Sequence, residues 1–261
     1  PKYSFVIPIS REWRMGEIFD ELEGIEFPNS QETEILVYFD GEAKHYEQYV
    51  LERLKHFKNL ENFNGLKVFL SGTEPLGDND PLVCRRQRVI EIWETIKTML
   101  SDSEITFGME DDMQIPFDSF VTLGRHLGLD EEIGYATGVT VGRWEKPILG
   151  VWHIVYNEKG EAVQVSSCEK GKGLEYIEGG GLYCFATRTK LIKDHTFTDQ
   201  APCLSVDVSF VESVVKSGDK AIVDWSVLCG HMLGGGRILN PRSREVITTK
   251  WIKKNDEWKE Y

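Results

Sequence analysis

Three consecutive carboxylates, Glu110-Asp111-Asp112, follow the apolar run Ile105–Met109. Adjacent like charges disfavour one another's ionised forms unless a cation relieves them. Carboxylate oxygens are hard ligands of the kind that suits Mg2+ or Mn2+, ions that keep positions for water or phosphate oxygens. If the strand ran on through the acids, alternation would put Glu110 and Asp112 on one side and Asp111 on the other. A solvated acidic turn is the plainer reading, since the chain carries 43 acids and a charge run is usually loop. Asp40 closes a second apolar run, Glu34–Phe39, and Asp40-Gly41 is a turn signal.

The elements that must carry these acids alternate. Tyr3–Ile9 predicts a strand, followed by a helix to about Glu23. Glu34–Phe39 predicts a strand, Tyr46–Lys58 a helix, Leu66–Leu70 a strand, Pro81–Leu100 a long helix and Ile105–Met109 a fourth strand. Val83, Val89, Ile90, Trp93, Ile96 and Leu100 form the inward stripe of the long helix. Such alternation implies a mostly parallel sheet with helices on both faces, and ligands in these sheets collect at the carboxyl ends of the strands. Asp40 and the acidic triplet both stand there.

The second half is less regular. Ile133–Val141, Ile148–Tyr156 and Val163–Ser167 are strand-like, with a turn at Glu145-Lys146-Pro147. The glycine-rich stretch Gly171–Gly181 leads into a strand reaching Thr187. Val206–Lys216 predicts a helix, and Gly218 a turn before the strand Ala221–Trp225.

Composition narrows the class. A formal charge of −13 argues against a protein that works by attraction to nucleic-acid phosphate. The segment from Met232 onward runs the other way, with seven Lys or Arg against four acids. No apolar stretch approaches the roughly 18 residues of a membrane span. The five cysteines show no Cys-x-x-Cys spacing, so neither a zinc site nor a disulfide framework is indicated, and a reducing, cytoplasmic setting is the simplest expectation. His45, His56, His126, His153 and His195 show no metal-ligand spacing.

Taken in order, several segments resemble the GT-A glycosyltransferases, especially the large family 2 group. Phe5-Val6-Ile7-Pro8 is similar to the family's opening strand. Phe107-Gly108-Met109-Glu110-Asp111-Asp112 resembles its Asp-x-Asp-type motif. Gly179-Gly180-Gly181-Leu182-Tyr183-Cys184 is similar to its glycine-rich segment, and Phe197-Thr198-Asp199 to its Phe-Asp-Glu. Val206-Asp207 looks like its Glu-Asp motif, and His231 like its late metal-binding histidine. The resemblance covers roughly residues 3 to 231.

It implies an α/β fold: a GT-A nucleotide-binding sandwich with a mostly parallel central sheet, helices on both faces and an added small β region. Residues 1–231 form one catalytic domain, divided at 112 into nucleotide-binding and acceptor halves. Residues 232–261 form a basic tail. The activity implied is metal-dependent transfer of a sugar from a UDP- or GDP-sugar to an acceptor hydroxyl, with Mn2+ or Mg2+ as cofactor. Asp112 and His231 would bind the metal, and Glu110 the metal or the donor. Pro8, Asp40, Arg86, Asp111 and Arg237 complete the donor side, and Gly180 and Gly181 stand on the acceptor side. Asp207 would be the general base of an inverting displacement, helped by partial burial beside Val206 and Val208. Each role has a plainer rival. Asp207 and Ser205 are both good helix caps, His231 suits a satisfied loop, Asp40 suits an ordinary turn, and helical Arg is usually solvated.

The chain departs from the family at Glu110, where Asp is usual, and at Val206, where Glu is usual. Residues 134–168 add strands to which the resemblance gives no role. Two alternatives stay open: a sugar-phosphate nucleotidylyltransferase, disfavoured because only Gly16 follows the first strand closely, and an inactive nucleotide-sugar-binding protein.

Overall fold

The computed structural model describes residues 1–10, 15–40, 52, 62–72, 82–142, 148–159, 161–198, 205–234, 237–248, 251–254 and 257–260. Most of the helix expected over 46–58, the turn at 145–147, Gly41, Asp199, Gly235 and Gly236 lie outside these residues.

The chain runs β1 (Tyr3–Ile9), α1 (Met15–Glu23), β2 (Thr33–Phe39), β3 (Gly65–Leu70), α2 (Leu82–Met99) and β4 (Ile105–Met109). There follow β5 (Met113–Gln114), α3 (Ser119–Leu129), β6 (Ile133–Val139), β7 (Val141–Gly142), β8 (Ile148–Leu149), β9 (Val151–Tyr156) and β10 (Ala162–Ser167). Next come β11 (Leu174–Tyr176), β12 (Gly179–Gly180), β13 (Cys184–Arg188), α4 (Thr189–Asp194), α5 (Val206–Lys216) and β14 (Lys220–Leu228). The chain closes with β15 (Gly230–Gly234), β16 (Arg237–Leu239), β17 (Val246–Thr248), β18 (Trp251–Lys254) and β19 (Glu257–Glu260).

Eight strands form the central sheet in the order β11-β14-β6-β13-β4-β1-β2-β3. β3, β2, β1 and β4 are mutually parallel, and β14 is parallel to β6. β13 runs antiparallel to both β4 and β6, and β11 antiparallel to β14. The mostly parallel expectation therefore holds, with two reversed strands.

Both faces are covered, which is why Ile35–Phe39 of β2 is a continuous apolar run and all seven residues of the strand are buried. On one face Phe5, Ile7, Ile9, Val37 and Phe107 meet Ile18 and Leu22 of α1 and Phe120 and Leu123 of α3. On the other, Val6, Leu36 and Phe185 meet Trp93 and Ile96 of α2 and Phe210 and Val214 of α5. Phe185 lies across the strand from Gly108, and a Cβ on Gly108 would come within 2.4 Å of its ring. The glycine there makes room for the aromatic.

Three features differ from expectation. The acids 110–112 do not extend β4; they form a turn that carries the chain into the two-residue β5. The glycine-rich segment does not run straight into a strand. Gly179 and Gly180 pair with β9, and the sheet strand begins only at Cys184. The boundary expected after His231 falls inside β15, which pairs with β5 and β16 in a sheet of order β17-β16-β15-β5. Backbone pairing to β5 ties that segment to the acidic turn.

The added region of 134–168 divides. β6 joins the central sheet, β7 pairs with β8, and β9 with β10 and β12 forms a separate sheet of order β10-β9-β12. No helix among the described residues is long and apolar enough to cross a membrane.

Candidate active site at the carboxyl edge of the sheet

β1, β2, β4, β6 and β14 end along one edge, and antiparallel β13 begins there. That edge gathers Asp40, the acidic turn, the Leu182-Tyr183 pair and His231. The turn holds Asp111 and Asp112 almost wholly out of solvent and leaves Glu110 half-buried. The two buried acids face different partners. Asp111 Oδ2 accepts the backbone N–H of Ser10, just past β1, at 2.8 Å. Asp112 Oδ2 lies 3.0 Å from His231 Nε2. The main chain repeats this link, since Met232 N–H donates to the Asp112 carbonyl at 2.8 Å.

His231 Nδ1 stands 2.9 Å from the Val141 carbonyl oxygen. A carbonyl only accepts, so Nδ1 carries hydrogen, and in the neutral imidazole Nε2 presents a lone pair toward the Asp112 carboxylate. Two acceptors at that distance are stable with a cation beside them, a proton or a metal ion. The donor set, one carboxylate oxygen and one imidazole nitrogen, fits a divalent ion whose other positions are filled by water and phosphate oxygens. Glu110 does not complete a tight triad. Among the described residues, the cluster of three His, Cys, Asp or Glu ligand atoms within 4.8 Å of one another lies elsewhere, at His153, Cys168 and Glu175.

Asp207 stands in the first turn of α5, and the cap position is taken by Ser205, whose side chain makes no capping bond. The Asp207 carboxyl instead accepts the Leu182 N–H. Burial pushes its pKa up to about 6, against the lowering effect of that hydrogen bond. The next residue faces the acids: the Tyr183 carbonyl accepts Glu110 N–H at 3.1 Å. Leu182 and Tyr183 thus connect Asp207 to the acidic turn at Glu110, one through its N–H and the other through its carbonyl.

The glycines position this link. A Cβ on Gly181 would fall 2.3 Å from the Tyr183 ring, and one on Gly180 about 3.2 Å from Ile177. The Gly181 carbonyl accepts the buried Tyr135 hydroxyl at 2.5 Å. These glycines are packed, and neither has a positive φ.

Asp40 is buried and paired with the guanidinium of Arg88, and Ser71 Oγ lies 3.3 Å from the same carboxylate oxygen. Arg86, expected on the donor side, lies half-buried on α2, and the guanidinium that meets Asp40 belongs to Arg88. Pro8 pairs with Tyr38 of β2, beyond the stretch where β1 is paired with β4. Its missing N–H is tolerated because the ladder to β4 has ended. Arg237 is exposed at the start of β16, opposite Gly234, while Leu239 stands opposite His231. A cleft of about 590 Å³ runs alongside this hairpin, lined by Gln114, Ile115, Gly230, Ile238 and Arg242 among others; its walls are neighbours of His231 rather than His231 itself.

Ser10, Arg88, Val141 and Leu182 are parts of this arrangement that the sequence did not disclose. Three of them act through the backbone, where the side chain carries no signal.

The sequence matches no protein-family model and no curated protein. Solved structures do share its fold. A197 from STIV superposes with a TM-score of 0.51 at 11% identity, covering 95% of this chain and 94% of its own. The mannosyltransferase PcManGT from Pyrobaculum calidifontis, in complex with GDP-Man and Mn2+, gives 0.51 at 13% identity over 86% of this chain. GalNAc-T7 with UDP, GalNAc and Mn2+ gives 0.57 at 10% identity over 88%. This chain spans 56% and 44% of the lengths of those two. Its fold is that of the GT-A glycosyltransferases.

Proposed function

We propose that the chain is a metal-dependent glycosyltransferase that moves a sugar from a nucleotide-diphosphate sugar to an acceptor hydroxyl with inversion. The observation that carries this reading is the meeting of Asp112 and His231 at 3.0 Å on the carboxyl edge of the sheet. Structures of the same fold hold GDP-Man with Mn2+ and UDP with Mn2+, which supports a nucleotide-sugar donor and a divalent ion.

In this reading Asp112 Oδ2 and His231 Nε2 hold Mn2+ or Mg2+, with Val141 fixing the imidazole tautomer. The bound ion supplies Lewis-acid stabilisation of the departing diphosphate. Glu110 and Asp111 frame the donor, Asp111 by holding the end of β1 through Ser10. Asp40, positioned by Arg88, would face the nucleoside, and Pro8, Arg86 and Arg237 would complete the donor side. Asp207 takes the proton from the acceptor hydroxyl as that oxygen attacks the anomeric carbon. A carboxyl titrating near 6 is a stronger base than an ordinary Asp and is still mostly ionised at neutral pH. Gly180 and Gly181 form the acceptor wall beside it.

The test is incubation with UDP- and GDP-sugars and Mn2+, followed by assay for free nucleoside diphosphate. Slow release that needs Mn2+ and is lost in Asp112→Asn supports the proposal. Pyrophosphate release from a nucleoside triphosphate would instead identify a nucleotidylyltransferase, and binding without turnover an inactive relative.

A further inference from the structure

Away from the acidic turn, three strands bring a mixed set of ligand atoms together. His153 lies on β9, Cys168 directly follows β10, and Glu175 lies on β11 at the edge of the central sheet. The His153 ring nitrogens, Cys168 Sγ and a Glu175 carboxylate oxygen supply ligand atoms within 4.8 Å of one another. The sequence hid this cluster because its residues have no motif spacing. Pairing of β10 with β9 brings Cys168 alongside His153, and pairing of β12 with β9 brings the preceding β11 to the same place.

The surrounding groups are arranged as around a metal. His153 Nδ1 is 3.1 Å from Glu178 Oε2, which also accepts the Ile154 N–H at 3.2 Å. A carboxylate accepts, and Nε2 in turn lies 3.0 Å from Glu175 Oε1, so without an ion both ring nitrogens donate. Burial lowers the imidazole pKa, but the hydrogen bonds to Glu175 and Glu178 outweigh it and raise the pKa. An ion bound at Nε2 would displace the proton there. The other Glu175 oxygen is engaged by the Trp225 indole N–H at 2.7 Å and by Lys170 N–H at 3.3 Å. A carboxylate behind a histidine, with its Nε2 turned inward, is the usual support for a metal-bound imidazole. Cys168 is wholly buried and outside any disulfide, while the His153 side chain is 38% exposed and leaves an entry path.

We propose that His153 Nε2, Cys168 Sγ and Glu175 Oε1 form a binding site for a zinc-class divalent ion, separate from the Asp112–His231 pair. One nitrogen, one sulfur and one oxygen suit a borderline-soft ion in a tetrahedral site better than Mg2+. Bond lengths of about 2.0–2.3 Å place tetrahedral ligands roughly 3.3–3.7 Å apart, so Nε2 and Oε1 need to open by only a few tenths of an ångström. Burial pushes the Cys168 thiol up to about 12, so binding releases its proton to solvent as the sulfur–metal bond forms. Water fills the fourth position. The ion would clasp the added β9–β10 hairpin to β11, giving the part of residues 134–168 that leaves the central sheet a structural anchor. This site stands whether or not the chain transfers sugar.

Cobalt substitution tests it. Chelator-treated protein titrated with Co2+ should develop a sulfur-to-cobalt charge-transfer band with tetrahedral visible bands, saturating at one equivalent and displaced by Zn2+. The Asp112–His231 pair contains no sulfur and cannot produce that band. It should persist in a Cys84→Ser/Cys203→Ser background, vanish in Cys168→Ser, and need at least tenfold more cobalt in His153→Gln. Absence of the band in the wild type overturns the proposal, showing that His153 is held only as an ion pair between glutamates. So does a band unchanged in His153→Gln, a readout that remains if Cys168→Ser fails to fold.

Discussion

Asp112 and His231 stand 119 positions apart in sequence, and their side chains meet at 3.0 Å. Strand β5, immediately after the acids, pairs with β15, so His231 lies opposite Met113. The contact is therefore a product of strand register. Asp112→Asn keeps the shape and removes the charge. We expect Mn2+-dependent donor turnover to fall on the order of 10²–10³-fold, since a catalytic metal supplies several kcal/mol. The stabilisation of the wild type by Mn2+ with nucleoside diphosphate should vanish as well, read as thermal shift.

Asp207 gives a pH prediction with a definite sign. Turnover should rise through an inflection near 6 as the base ionises, and Asp207→Asn should lose that limb together with about 10²–10⁴ in kcat. Stability runs the other way. A carboxyl whose folded pKa lies above its ordinary 3.8 favours the folded state only while protonated, so its contribution is lost as pH rises from about 4 through 6. Asp207→Asn should therefore be more stable than wild type by about 1–3 kcal/mol at pH 7.5, and equal to it at pH 4. Urea melts at the two pH values check this.

Arg88 and Asp40 form a buried pair at the end of β2. Arg88→Ala leaves the Asp40 carboxylate without its guanidinium, which should cost about 3–5 kcal/mol. The double variant Asp40→Ala/Arg88→Ala should be less destabilised than the sum of the singles, because the stranded charge is gone. Simple additivity in the melts would remove the pair from any role in shaping the donor side.

Gly181→Ala tests the link between the glycines and the base. The added methyl would press on the Tyr183 ring from 2.3 Å, so we expect a loss of about 1–3 kcal/mol. Displacement of Leu182 would weaken the hydrogen bond that lowers the Asp207 pKa, moving the inflection in the rate profile upward. An inflection that stays in place, with stability reduced, would confine Gly181 to packing.

Much of the frame was legible in the residues. Tyr3–Ile9 and Ile105–Met109 are strands with the expected bounds because each is a short β-branched and aromatic run between polar stops. Val206–Lys216 is a helix with the expected ends, closed by Gly218 in a positive-φ turn after it. These are local signals, and the chain carries them wherever it folds. The acidic turn was visible as composition, but its geometry was not: continuing β4 would have set the acids on alternate faces, whereas the turn sends Asp111 to Ser10 and Asp112 to His231.

The chain's own order of residues determined the alternating strands and helices, and hence an acidic edge on a two-faced sheet. Tertiary structure alone decided who meets whom there. Arg88 rather than Arg86 reaches Asp40, Leu182 reaches Asp207, and His153 joins Cys168 and Glu175. Periodicity reports which face a residue takes, because neighbouring positions set it. Pairing between distant strands depends on register and crossover, and a one-residue slip would turn each of these side chains away from its partner.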